Sequence, residues 1–180
     1  MDLGWLGDPD IRSAVDYLTA RVDVNPERIA IVGLSMGGEE AIGAAGGDDR
    51  IKAVIAEGAT WRTAADKAWL AEEYGFAGVV QGVLDAVTYG LIDGMTTADP
   101  PPPLAGSIRD ASPTRFLLIA GGAMPDEQLA AKRLAAVDPD RVEVWVVRGA
   151  GHVQALDTAP AEWRKRVIGF LDHALGEEPA

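Results

Sequence analysis

Residues 28–38 read Arg-Ile-Ala-Ile-Val-Gly-Leu-Ser-Met-Gly-Gly, and this segment restricts the possible folds more than any other. A short, apolar, β-branched run has the composition of a strand covered on both faces in a parallel sheet. It leads directly into a serine bracketed by glycines, and residues 39–45 then read as helix. A strand that becomes a helix within a few residues must fold back sharply at the join. Glycines there keep side chains away from backbone that passes close to itself. The segment is therefore a β-strand, a tight turn and a helix, one unit of an alternating sheet-and-helix architecture.

The alternation continues on both sides. Asp8-Pro9-Asp10, followed by apolar residues at Ile11, Val15, Leu18 and Val22, predicts a helix over 8–22 that starts on a capping carboxylate. Buried strands are predicted over 51–56, 115–120 and 142–147, and helices over 126–137 and about 161–175. The expectation is an α/β fold in a single domain over 1–180, with a parallel sheet of about four strands flanked by helices. An interruption at about 58–113 is far longer than the ~2–6 residues of an ordinary βα connection and predicts a helical cap insertion. Trp61, Trp69, Tyr74, Phe76 and Tyr89 gather there and read as core aromatics rather than substrate contacts. Pro100 to Pro103 form a stiff spacer leading back to the sheet. The apolar residues 76–95 are interrupted by Gln81, Asp85, Asp93 and several glycines, so they do not read as a bilayer span of ~20 apolar residues.

Composition removes several chemistries. The chain has no cysteine, which excludes disulfides, thiolate zinc sites and cysteine nucleophiles. Its two histidines stand far apart, so no metal site is expected. Residues 33–38 match neither the dinucleotide pattern nor the P-loop, and no cofactor is expected. With 28 acidic against 16 basic residues the net charge is −12, which opposes nucleic acid or an anionic membrane as a partner. The first ten residues show no basic and apolar leader, and the expected location is cytoplasmic.

Gly33-Leu34-Ser35-Met36-Gly37 is a G-x-S-x-G pattern placed between a predicted strand and a predicted helix, where a serine hydroxyl would be held out on a strained turn. A hydroxyl needs a base. His152 follows the last predicted strand at its carboxyl end, on the same sheet edge as Ser35, whereas His173 reads as a solvated residue near a helix C-terminus. A carboxylate should orient the imidazole. Glu127 ranks first, Asp126 second and Glu57 third; helix capping is the competing reading of Asp126 and Glu127.

The elbow at residues 33–38, the strand end Ala56-Glu57-Gly58 and the loop Gly149-Ala150-Gly151-His152 resemble the α/β-hydrolase superfamily, in particular dienelactone-hydrolase-like and esterase-like members with a small helical cap. The resemblance extends over about 8–175. It implies Ser35 as nucleophile, His152 as base, a carboxylate near Glu127 as orienter and the Met36 backbone N–H as one oxyanion donor. It covers only the C-terminal portion of that fold, so the expected architecture is a truncated one. The loop that brings the second oxyanion donor in the family has no counterpart before residue 33. The strand at 28–32 is then an uncovered edge, open to pairing with another chain, and a homo-oligomer through this sheet edge is expected. The function implied is a serine carboxylic-ester hydrolase acting on small acyl esters through an acyl-enzyme. The alternatives are a non-catalytic domain acting through its exposed sheet edge, and an acyl transferase or thioesterase.

Overall fold

In the computed structural model, residues 4–176 are described. Strands β1 (Ile29–Leu34), β2 (Ile51–Glu57), β3 (Arg115–Gly121) and β4 (Val142–Val147) form one parallel sheet in the order β1-β2-β3-β4. Helices are α1 (Gly7–Thr19), α2 (Met36–Gly46), α3 (Leu70–Tyr74), α4 (Phe76–Met95), α5 (Leu104–Asp110), α6 (Pro125–Ala135), α7 (Ala155–Thr158) and α8 (Pro160–Leu175). The architecture is the expected α/β one, a four-stranded parallel sheet covered by helices on both faces.

Successive residues of β2 and β3 point to opposite faces, and each face has its own core. Val54, Ala56, Phe116, Leu118 and Ala120 pack with Ile42 of α2, Leu104 and Ile108 of α5 and Leu134 of α6. Ala53, Ile55, Leu117 and Ile119 pack with Trp145 of β4 and with Val167 and Phe170 of α8. Burial on both faces is why β2 and β3 read as continuous apolar runs. At the sheet edge, β1 leaves Val32 and Leu34 half exposed.

Four sequence expectations change. The first helix ends at Thr19, and Val22 lies fully exposed beyond it. Asp8 does not cap that helix. It is buried, and its two carboxylate oxygens lie 2.9 and 3.1 Å from Arg62 Nη1. This pair ties α1 to the loop after β2, and it passes so close to Gly43 that a Cβ there would overlap Arg62. Burial pushes the Asp8 carboxyl up, against the pull of the guanidinium.

The insertion is helical as expected, but residues 76–95 form one unbroken helix, α4, long and apolar enough to cross a membrane by length and composition. Asp85 does not interrupt it because it turns inward, where its Oδ1 accepts from Lys67 Nζ at 2.9 Å and from the exposed Gln81 Nε2, one turn earlier, at 3.1 Å. The aromatics divide. Trp69 is buried with Leu70, and Tyr89 stacks on Trp5 at 6.4 Å. Phe76 is 83 % exposed and Tyr74 is exposed, so neither is a core residue.

Arg62→Ala leaves the Asp8 carboxylate buried without its cation and should lower stability by about 3 kcal/mol, or about 10 °C in Tm for a chain of this size. Thermal melts of R62A, D8A and the double variant check this. The double variant should be less damaged than the two single losses added together, since no unpaired charge remains.

Candidate active site

The join between β1 and α2 is built by close approach. A Cβ on Gly33 would stand 2.3 Å from the Gly37 carbonyl oxygen, so no side chain fits there. Gly38 lies against Ala56 and the Gly33 carbonyl. Gly37, the second glycine of the pattern, faces open space, so packing requires Gly33 and Gly38 and not Gly37. Ser35 pays for the turn with φ 53°, a left-handed backbone that few L-residues adopt. Its N–H donates to the Glu57 carbonyl at 2.7 Å, and its own carbonyl accepts from Gly38 N at 2.9 Å and Glu39 N at 3.3 Å. The first helical amides, at Met36 and Gly37, lie outside this ladder, at the positive end of the α2 dipole.

His152 arrives from the loop after β4, which turns at Gly149 with φ 78°. Its Nε2 lies 2.9 Å from Ser35 Oγ and its Nδ1 lies 2.6 Å from Glu127 Oε1. Glu127 is only 3 % exposed, and its other oxygen accepts from Gly121 N at 2.8 Å. The imidazole rests over Gly58, where φ is 72° and a Cβ would come within 2.8 Å of the ring. Three chain segments far apart in sequence thus converge in one line, from a buried carboxylate through an imidazole to a half-open hydroxyl.

The other two acid candidates are occupied elsewhere. Asp126 accepts from the Tyr74 hydroxyl at 2.6 Å, and that hydrogen bond pushes the phenol up. It does not cap α6, whose N-cap Met124 is followed by Pro125. Glu57 is buried and accepts from Ala155 N at 2.8 Å and Trp163 Nε1 at 3.3 Å, which anchors α7 and α8 to the end of β2. His173 is exposed in the last turn of α8, as its position suggested.

Sequence reasoning missed Glu39 and the cavity it helps to shape. Glu39 Oε1 accepts from Thr60 N, Thr60 Oγ1 and Trp61 N, fixing the loop after β2 against the first turn of α2. The signal was an acid among small apolar residues in 36–46. Burial pushes its carboxyl up, partly opposed by those donors. Trp61 and Asp126, with Lys67, Leu70, Tyr74 and Gln81, then line a cavity of about 300 Å³. Lys67 Nζ sits 4.7 Å from the Trp61 ring centroid in its wall.

The family model described as the prolyl oligopeptidase family matches residues 7–178. The putative hydrolase YtaP of Bacillus subtilis is 50 % identical over 46 residues, which are 26 % of this chain and 15 % of that protein. The Pyrococcus furiosus esterase Pf2001 superposes with a TM-score of 0.65 at 24 % identity, over 98 % of this chain and 65 % of that one. The Pyrococcus horikoshii acylaminoacyl peptidase gives 0.62 at 17 % identity, over 96 % of this chain and 28 % of that one. The chain therefore spans less than two thirds of the length of each of these proteins.

Because the folded state holds Glu39 with a raised pKa, it favours the protonated form. The contribution is full below the unfolded carboxyl value and is lost as pH rises through the raised one. Glu39→Gln keeps an acceptor for the Thr60 and Trp61 amides and carries no charge. Urea midpoints between pH 4 and pH 8 should show E39Q gaining on the wild type as pH rises; a difference that shrinks with pH would contradict this assignment.

Proposed function

The chain belongs to the prolyl oligopeptidase family of serine hydrolases, and from that premise we propose that it cleaves small carboxylic esters, with Ser35 as nucleophile, His152 as general base and Glu127 as the orienting carboxylate. The observation that carries the reading is the continuous relay from Glu127 Oε1 to His152 to Ser35 Oγ, with spacings of 2.6 and 2.9 Å. In the tautomer this relay needs, Nδ1–H donates to Glu127 and Nε2 accepts from the Ser35 hydroxyl. Ser35 Oγ attacks the acyl carbon while its proton passes to Nε2. The tetrahedral oxyanion is stabilised by the Met36 N–H at the head of α2. Collapse expels the alcohol, which takes the proton from Nε2. Water then adds to the acyl-enzyme through the same base and releases the acid.

Glu127 suits the orienting role because its burial and its bond from Gly121 leave one oxygen for the imidazole. Asp126 has one oxygen engaged by the Tyr74 hydroxyl, and Glu57 has both engaged by Ala155 N and the Trp163 indole. A second reading, cleavage of peptide bonds, is favoured by the family itself. Thioester cleavage and acyl transfer use the same relay and differ in leaving group and acceptor.

A fluorophosphonate probe should label the wild type and leave Ser35→Ala unlabelled. Equal labelling of both would overturn the assignment, and no labelling of a folded wild type would favour the non-catalytic reading. On p-nitrophenyl acetate, butyrate and octanoate, Ser35→Ala and His152→Ala should fall to background, and Glu127→Gln by about 10⁴-fold. Asp126→Asn should change turnover by less than about threefold. Matched thioester and anilide substrates divide the ester reading from its alternatives.

Gly58→Ala tests the cradle under the imidazole. Strain at φ 72° and the overlap with His152 should displace the ring by a fraction of an ångström to an ångström, at a cost of about 10²-fold in kcat. Circular dichroism should show the fold retained; unchanged kcat in G58A would mean the ring position is not what limits turnover.

A further inference from the structure

Helix α4 has two faces of opposite character. Its inner face carries Gly78, pressed against the Leu70 carbonyl, then Asp85, which pairs with Lys67, and Tyr89, which stacks on Trp5. Its outer face carries Phe76, Val80, Val83, Val87, Leu91 and Met95 at spacings of three and four, and every one of them is exposed. By their fractional exposures, these six side chains leave on the order of 700 Å² of apolar surface in water, close to the ~800 Å² that one partner brings to a standard interface.

We propose that this face pairs with the same face of a second copy of the chain, the two α4 helices running antiparallel about a two-fold axis. The face is self-complementary in a way that suits such pairing. Its N-terminal half carries Phe76 and Val80, and its C-terminal half carries Gly90 and Gly94, where an added Cβ would meet nothing within 4 Å. Antiparallel overlap sets Phe76 of one copy opposite Gly94 of the other and Val80 opposite Gly90, with Val83 and Val87 at the axis. Bulky residues enter the gaps the glycines leave, and the helix backbones can approach closely. An isologous contact of this kind closes on itself and stops at a dimer.

Charge favours a protein partner over a lipid surface. Helix α4 has no lysine or arginine, only Asp85 and Asp93, and the chain as a whole is at −12, whereas helices that lie on membranes use basic flanks. The sheet edge at β1 offers a smaller apolar surface, with Val32 and Leu34 half exposed. Two copies at −12 repel one another, so the dimer should tighten with salt.

Sedimentation equilibrium from 1 to 100 µM should show a dimer for the wild type, stronger at 500 mM than at 50 mM NaCl. Val83→Glu and Val87→Glu place a carboxylate at the axis, and each should raise the dimer Kd at least about 100-fold with unchanged circular dichroism. Val32→Lys, on the sheet edge, should leave the dimer intact. The chain has no cysteine, so the double variant Val83→Cys/Val87→Cys, whose positions face each other in this register, should oxidise to a disulfide-linked dimer, while Thr88→Cys, off the face, should not. A wild type monomeric at 100 µM would overturn the proposal, as would a dimer lost in V32K but kept in V83E. Flotation of a monomeric wild type with phosphatidylcholine vesicles would assign the face to lipid instead.

Discussion

The strand-to-helix turn at Ser35 is the constraint around which the rest is arranged. The chain can reverse there only because Gly33 has no side chain to meet the Gly37 carbonyl and because Ser35 accepts a left-handed backbone. Such a conformation costs of order 1–3 kcal/mol and persists only where its surroundings over-determine it. Here they do. The Ser35 N–H is held by the Glu57 carbonyl of the neighbouring strand, Gly38 is pressed against Ala56, and Ala41, Ile42 and Ala44 of α2 are fully buried on the sheet. The strain is supported by the packing of β1, β2 and α2 together, and the exposed hydroxyl results from that packing.

Buried carboxylates join several of the elements beyond the apolar cores. Asp8 holds the loop after β2 to α1, Glu39 holds the same loop to α2, Glu57 holds α7 and α8 to β2, and Asp85 holds α4 to Lys67. Each is desolvated, and each is met by N–H or O–H donors or by a cation, as a buried acid must be. The strongly acidic composition is therefore not only a surface property. Several of these acids fasten segments that would otherwise have little apolar area to hold them.

What the sequence made legible was periodic or local. The four strands, their order along the chain and the long insertion follow from short β-branched runs separated by helical spacing, and these signals survived in the structure to within a few residues. Ser35 and His152 stood out because glycines mark both turns. The rest depended on contacts between residues distant in the chain. Asp8 resembles a cap from its neighbours alone, and nothing near residue 8 announces a cation 54 positions later. Glu127 and Asp126 are adjacent and chemically alike, so only the start of α6 at Pro125 decides which turns toward His152 and which toward Tyr74. The glycines and acids within 76–95 looked like interruptions because their effect depends on which side of a helix they occupy. Asp85 points in and Gly90 and Gly94 point out, and the helix passes through all three.

Glu57 has a consequence beyond anchoring. Its carbonyl holds the Ser35 amide, while its carboxylate holds Ala155 N, three residues after His152, and the Trp163 indole. The turn that carries the hydroxyl and the loop that carries the imidazole are thus referenced to one residue at the end of one strand. Thermal drift of the sheet edge moves both together, and the gap between oxygen and nitrogen behaves as an internal coordinate of a single rigid body rather than as the separation of two independent loops.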